Sequence, residues 1–327
     1  MQGVTVIICC YNSASRLAQT LMHLATQVTT SDFELEVVLV DNMSTDGTAE
    51  IAAQIWKELN STVALKTIKE NEPGLSFARK RGIEEAKYDI LIFCDDDNWL
   101  AEDYVIKAAQ LMSRSIGIIG GLGQPVFENT EPGWFKYFKS FYAVGDQSKS
   151  VFNDLPNFQY VYGAGMIVNK KALLELYNDG FVSIAVDRIG NQLTSGGDTE
   201  LCLALQLLGY KVVYNPTLKF EHFISSSKLR FGYCAKLVSG IGYSSDLLFP
   251  YRAYLDSNNS FPFPSFKSFK NELKQLLFSS IILILPFKRF GPFYDKFRNS
   301  NFLFGKVKFH LLNQKRFIGF NSFLSSR

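Results

Sequence analysis

The sequence predicts an α/β protein: a mostly parallel, Rossmann-like sheet flanked by helices, with a helical appendage at the C-terminal end. Three observations predict it. Short, near-continuous apolar runs suit strands buried on both faces. They alternate with segments of helical spacing, the pattern of parallel strands joined by crossover helices. Polar residues gather just after the runs: Tyr11-Asn12 after the first, Asp41-Asn42 after the second, Asp95-Asp96-Asp97-Asn98 after the fourth. Open parallel sheets bind ligands beyond the carboxyl ends of their strands, so this pattern has the shape of a site.

The elements follow in order. Residues 4–10 form the first apolar run, and residues 15–27 carry Leu17, Leu21, Leu24 and Val28 at helical spacing. Residues 36–40 are a second strand ending at Asp41. Asp46-Gly47-Thr48 then opens a helix with Ile51, Ile55 and Leu59 on one face. Residues 63–68 are a third strand, residues 75–86 a helix and residues 88–94 a fourth strand. Beyond residue 115 the pattern loosens. Residues 116–122 read as a strand, residues 123–160 are aromatic and turn-rich, and residues 160–169 are strand-like around Gly163-Ala164-Gly165. Residues 201–208 form an apolar helix closed by Gly209, and residues 211–214 a last strand before Pro216.

Composition adds a division. The chain has 327 residues and a net charge of +3. Residues 224–327 hold 16 Lys/Arg against 4 Asp/Glu, a net +12, whereas residues 1–223 hold 18 against 27, a net −9. A front unit over residues 1–223, in halves of about 1–115 and 116–223, is therefore expected to do a different job from the basic, Phe-rich region 224–327. The apolar stretch 276–285 in that region ends at Pro286 and is too short to span a bilayer. Its basic and aromatic flanks, including Lys288, Arg289 and Phe290, suit an anionic membrane surface. The alternative is a helical appendage packed on the front unit or on a partner. No nucleic-acid-binding motif accompanies the charge, so a nucleic-acid partner is not expected. The five cysteines form no CxxC pair and sit mainly in apolar runs, which reads as reduced, buried thiols in a cytosolic protein. The first residues lack a basic n-region and a cleavage site, so no signal peptide is expected.

Several clusters can carry chemistry. Three adjacent carboxylates, Asp95, Asp96 and Asp97, repel one another unless a cation neutralises them. Hard oxygen donors at a strand end suit Mg²⁺ or Mn²⁺, which can bridge two phosphates. The alternative for the string alone is a solvated acidic loop or a cap for the helix near Glu102. Asp41 can accept a hydrogen bond from a base N–H, or can stabilise a turn. Asp46 and Thr48 read as a cap. Arg79, Lys80 and Arg81 lie on a helix returning to the same rim, where a guanidinium can meet phosphate. Asp198, within Ser195-Gly196-Gly197-Asp198, can cap a helix or serve as a carboxylate general base. His222, after Phe220-Glu221, can contact a metal or a diphosphate, or be structural. The loop after the first strand, Tyr11-Asn12-Ser13-Ala14-Ser15, lacks the GxGxxG of dinucleotide oxidoreductases. It also lacks the Gly-rich basic loop of nucleotidyltransferases.

Taken in order, these segments resemble the family 2 glycosyltransferases of the GT-A fold. The resemblance is carried by Val4-Thr5-Val6-Ile7-Ile8-Cys9-Cys10-Tyr11-Asn12, residues 41–48, and Pro73-Gly74-Leu75-Ser76-Phe77-Ala78-Arg79. It continues through residues 90–99, 163–169 and 196–201 to His222, covering about residues 4–223. It implies an inverting, metal-dependent transfer of a sugar from a nucleotide-sugar, usually a UDP-sugar, to a hydroxyl acceptor such as a glycan or a lipid-linked precursor. The nucleotide-sugar would meet Tyr11, Asn12, Asp41, Arg79, Asp95 and Asp96. Asp41 would read the base. Asp95 and Asp97 would be the family's DxD pair and hold Mn²⁺ or Mg²⁺ with His222, Asp97 being the closer ligand. Asn98 would be a support, and Asp198 would be the base. The sequence departs from the family pattern at Cys9-Cys10, where Pro precedes Tyr-Asn. It also has Lys80 in place of Asn, and Gly197 in place of the Glu before the base. Asp198 is then the main base candidate and Glu200 a weaker one.

Overall fold

The computed structural model describes residues 2–30, 33–148, 159–185, 195–248, 251, 252, 255 and 290–312. The apolar runs become strands β1 (Gln2–Cys10), β2 (Phe33–Asp41), β3 (Ala64–Lys69) and β4 (Ile90–Cys94), joined by helices α1 (Leu17–Ala25), α2 (Thr48–Glu58) and α3 (Leu75–Glu85). Then come β5 (Asn98–Leu100), α4 (Tyr104–Leu111), β6 (Ile116–Phe127), β7 (Met166–Asn169), α5 (Lys170–Asn178), α6 (Gly197–Leu207) and β8 (Lys211–Ile224). The basic region contributes α7 (Phe231–Leu247) and α8 (Phe290–Leu312). The apolar stretch 276–285 lies outside the described residues. Among those described, no helix is long and apolar enough to cross a membrane.

The eight strands among the described residues share one sheet, ordered β3-β2-β1-β4-β7-β6-β8-β5. β1, β2, β3 and β4 pair in parallel, as do β6 and β8. β7 runs antiparallel to both β4 and β6, and β5 antiparallel to β8. The sheet is thus mixed, its parallel character concentrated in the first four strands. Side chains alternate across it with the period of two that a strand imposes. Ile7, Val38, Val40, Leu91 and Phe93 face a cluster shared with α3, α5 and α6. Val6, Ile8, Val37, Leu39 and Ile92 face another shared with α1, α2 and α4. Covered on both faces, these strands have no wet side, which is why their sequences are continuously apolar.

Three elements differ from expectation. β8 runs on past Pro216 to Ile224, with a register shift against β6 between Gly120 and Leu122. Pro has no N–H for the ladder, so it sits where the ladder breaks and pairing resumes beyond it. The strand-like residues 160–169 pair only over Met166–Asn169. α6 begins at Gly197, four residues before the apolar run that signalled it. A third apolar cluster joins Trp134, Phe135, Phe138 and Tyr142 to Cys234, Leu237 and Val238 of α7, with Tyr294 and Phe297 of α8 packed against it. The basic region therefore packs, over its described part, as a helical appendage on the front unit. The five cysteines are free thiols, all buried except the half-buried Cys9.

Candidate active site

The carboxyl ends of β1, β2 and β4 open into a cavity of about 1190 Å³. β4 is buried along its whole length, so its end is fixed, and the chain turns at once through Asp95, Asp96 and Asp97. The Asn98 N–H donates to the Asp95 carbonyl at 3.1 Å, and the Asn98 side-chain amide donates to Asp95 Oδ2 at 3.2 Å. Asn98 thus supports Asp95. β5 then pairs Asn98 with His222, and the Phe223 N–H donates to the Asp97 carbonyl at 2.8 Å. That pairing carries His222 Nε2 to 3.5 Å from Asp97 Oδ1.

Each carboxylate of the run meets a different environment. Asp96 accepts from the Ser13 hydroxyl and from Arg16 Nη2, the latter at 2.5 Å, and the Thr20 hydroxyl donates to its carbonyl at 2.9 Å. Burial and neighbouring Asp97 push its carboxyl up, against Arg16 and Ser13. Asp95 is also pushed up by burial and by Asp97, against the pull of Arg79. Burial acts the same way on Asp97. Lys228 Nζ, 2.5 Å from its Oδ2, and His222 outweigh burial and hold Asp97 well below the usual carboxylate range.

Asp198 lies in the first turn of α6, yet no side-chain cap forms at the start of that helix. Asp198 pairs instead with Arg79 Nη1 at 2.5 Å, and the Arg79 guanidinium lies 5.2 Å from the centroid of the Phe93 ring. Gly163 leaves the room: a Cβ on it would collide with Asp198 Oδ2. Arg79 thus reaches the rim as expected, but on the candidate base.

Of the candidates from sequence, Tyr11, Arg79, Asp95, Asp96, Asp97, Asp198 and His222 line the one cavity. Asn12 and Asp41 lie just behind its lining. Asn12 Oδ1 accepts from the Thr45 N–H at 2.9 Å, and Asp41 Oδ1 accepts from the Ser44 N–H at 3.1 Å. Both hold the turn before α2, and Asp46 accepts from the Thr48 N–H at 3.1 Å, as a cap does. Glu200, the weaker base candidate, does not reach the cavity. It is fully buried, accepting from the Ile184 and Ala185 N–H groups at 2.9 Å and from the Tyr251 hydroxyl at 2.7 Å. Sequence reasoning missed Arg16 and Lys228, and marked Asn42 only as a polar residue after the second strand. Asn42 donates to the Glu70 and Glu72 carbonyls and accepts from the Gly74 N–H at 2.8 Å, shaping the rim. Arg16 follows the first-strand loop and was findable as the first cation there. Lys228 lies 131 positions from Asp97 and carried no local signal.

A metal fit is partial. Among the described residues, no group of three or more His, Cys, Asp or Glu side chains is arranged to hold a metal ion. The donor chemistry is right, however: Asp95 and Asp97 line the same cavity with carboxylate oxygens, and a cation, the Lys228 ammonium, already stands on Asp97. Mg²⁺ commonly binds through one or two carboxylates and takes its remaining oxygens from phosphates and water.

A mixed sheet with Tyr11 and Asn12 after β1, Asp41 at the end of β2 and an acidic run after β4 has the GT-A architecture. A mannosyltransferase from Pyrobaculum calidifontis, solved with GDP-Man and Mn²⁺, shares it with a TM-score of 0.60 at 19% identity, covering 95% of this chain and 88% of that one. GalNAc-T7, solved with UDP, GalNAc and Mn²⁺, aligns with a TM-score of 0.53 at 16% identity, over 83% of this chain and 53% of that one. The family model for glycosyl transferase family 2 matches residues 5–177, and the chain belongs to that family. Glycosyltransferase AglE of Haloferax volcanii is 27% identical over 214 residues, 64% of each protein. The uncharacterized glycosyltransferase YfnE of Bacillus subtilis is 38% identical over 103 residues, 32% of this chain and 25% of that protein. The chain thus spans from a quarter to about two thirds of these relatives' length.

Proposed function

We propose that this chain transfers a sugar from a nucleotide-sugar to a hydroxyl acceptor, inverting the anomeric centre in a single displacement. One observation carries the reading: Asp95, Asp97, His222, Arg79 and Asp198 converge on one cavity although they come from widely separated segments of the chain. Asp198 takes the proton of the acceptor hydroxyl as its oxygen attacks the anomeric carbon and the bond to the diphosphate breaks. Arg79 holds the Asp198 carboxylate in place. Asp95 and Asp97, with His222, hold a divalent cation, Mn²⁺ or Mg²⁺, which when bound offsets charge on the departing diphosphate. Tyr11 stands exposed at the cavity mouth, where a base can stack. Asn12 and Asp41 act by shaping the turn beside it, Asp41 turning toward the base when nucleotide binds.

A UDP-sugar is the donor we favour. The solved relatives hold GDP-Man in one case and UDP in the other, so the base is the point to test. The acceptor we propose is a glycan or lipid-linked precursor, with the basic C-terminal region resting on the anionic inner face of the cell membrane. The deciding experiment is a panel of UDP- and GDP-sugars assayed for nucleotide release with Mn²⁺ or with EDTA. Turnover of a UDP-sugar that EDTA abolishes is expected. No turnover across the panel, with Asp97→Ala binding UDP as the wild type does, would instead mark a binding module. For the membrane, replacing Lys288 and Arg289 with Ala should weaken co-sedimentation of the full chain with anionic vesicles. Unchanged co-sedimentation overturns that placement.

A further inference from the structure

Lys228 lies on a short 3-10 turn, Ser226–Leu229, between β8 and α7. The backbone of this turn is held from three sides. The Tyr142 hydroxyl donates to the Lys228 carbonyl at 2.9 Å, the Lys228 N–H donates to the Ser225 carbonyl at 2.9 Å, and the Ser226 N–H donates to Glu128 Oε2 at 2.7 Å. From this anchored backbone the four-carbon stem reaches into the cavity and sets the ammonium 2.5 Å from Asp97 Oδ2. Asp97 is buried, and its other oxygen faces His222 at 3.5 Å. Both oxygens of Asp97 therefore already face a nitrogen, and a second cation arriving there meets the Lys228 ammonium at close range.

We propose that the Lys228 ammonium is a built-in competitor for the divalent cation at Asp97, released only when a diphosphate arrives to take it. The inference rests on Asp97 being a cation ligand. An ammonium and a divalent ion on one buried carboxylate repel each other at close range in a poorly screened site, so each weakens the other's hold. A divalent ion entering alone must therefore bind against the repulsion of the ammonium. A divalent ion entering with a nucleoside diphosphate brings phosphate oxygens that can take the same ammonium, whose side chain already lines the cavity. The site then discriminates against free metal and favours the metal–nucleotide complex.

The test is an electron paramagnetic resonance titration of Mn²⁺ alone into the full chain, comparing wild type with Lys228→Met and Lys228→Arg. Without nucleotide, Lys228→Met should bind Mn²⁺ at least about tenfold more tightly, whereas Lys228→Arg, which keeps the charge, should stay near wild type. With Mn²⁺ saturating, Lys228→Met should bind UDP more weakly than wild type. Equal or weaker Mn²⁺ affinity in Lys228→Met overturns the proposal. Lys228→Gln repeats the measurement if the Met variant fails to fold. Adding Asp97→Asn to Lys228→Met separates the two ideas. If that double variant binds Mn²⁺ as tightly as Lys228→Met, Asp97 is not the ligand and the functional reading itself fails at that residue.

Discussion

At the scale of single residues, three acids of the site each pair with a separate cation: Arg16 with Asp96, Lys228 with Asp97, Arg79 with Asp198. Asp198 is more open than Asp97, 32% exposed against 7%, which suits a group proposed to touch an acceptor. Asp198→Asn keeps the shape and removes the basicity. It should lower turnover by about 10²- to 10⁴-fold while UDP affinity changes little, as steady-state rates and calorimetry would read. Glu200 shows the opposite fate of an acid two positions away. Burial pushes its carboxyl up from 4.5, against its hydrogen bonds with Ser183, Ile184, Ala185 and Tyr251. A raised value in the folded state means the folded protein holds a proton that the unfolded chain has lost. Stability therefore falls as pH rises from about 4.5 through the folded value. Glu200→Gln carries no proton to lose, so its urea midpoint should drop less between pH 5 and pH 7 than that of the wild type. Parallel midpoints would show that Glu200 titrates normally.

At the scale of elements, legibility followed the range of the forces involved. β1, β2 and β4 were readable because burial on both faces writes itself into a local run, and the polar residues after them were readable for the same reason. β5 was not. Three residues carry no period, and Asn98–Leu100 becomes a strand only because β8 arrives beside it. That pairing brings His222 to Asp97, so the second half of the site depends on contacts between distant segments. The length of β8 was hidden by Pro216, which marks a real break in the ladder but not the end of the strand. Asp198 was visible as a helix-start acid. What gives its carboxylate a place away from the helix end is Gly163, on the loop before β7, whose missing side chain leaves the space. Gly163→Ala makes that dependence measurable. The added Cβ must push the carboxylate aside, and because the obstacle is the end of a flexible side chain the fold should tolerate it. Turnover should fall by at least about tenfold with a stability change under about 1 kcal/mol, since only the carboxylate proposed as the base is misplaced. Unaltered turnover would mean that Asp198 works from a different rotamer.

At the scale of the whole molecule, the basic region is tied to the site through α7. One face of α7 and the residue after it supply Tyr233, Leu237, Ile241 and Leu248 to the cavity wall. Its other side takes α8 at very close approach. A Cβ on Gly242 would collide with the Phe302 carbonyl oxygen, and one on Gly305 with the Ser239 carbonyl oxygen. Backbone meets backbone there, so neither neighbour can yield as a side chain would. Lys306 then pairs with the buried Asp246 of α7 at 3.0 Å, which fixes the register of the two helices. A charge buried in this way holds only while its partner stays docked. Gly305→Leu should therefore push α8 off α7, expose the Asp246 carboxylate and loosen the cavity wall from behind. Overpacking of this kind costs about 1–3 kcal/mol. Local loosening would appear as faster hydrogen exchange at the amides of Leu237–Leu247 than at those of β1 and β4 in the middle of the sheet. If exchange along α7 matches wild type while the melting temperature falls, α8 stabilises the molecule as a whole without bracing the site. If exchange rises along α7 and affinity for the proposed acceptor falls with UDP affinity intact, the appendage is the structural support of that wall of the cavity.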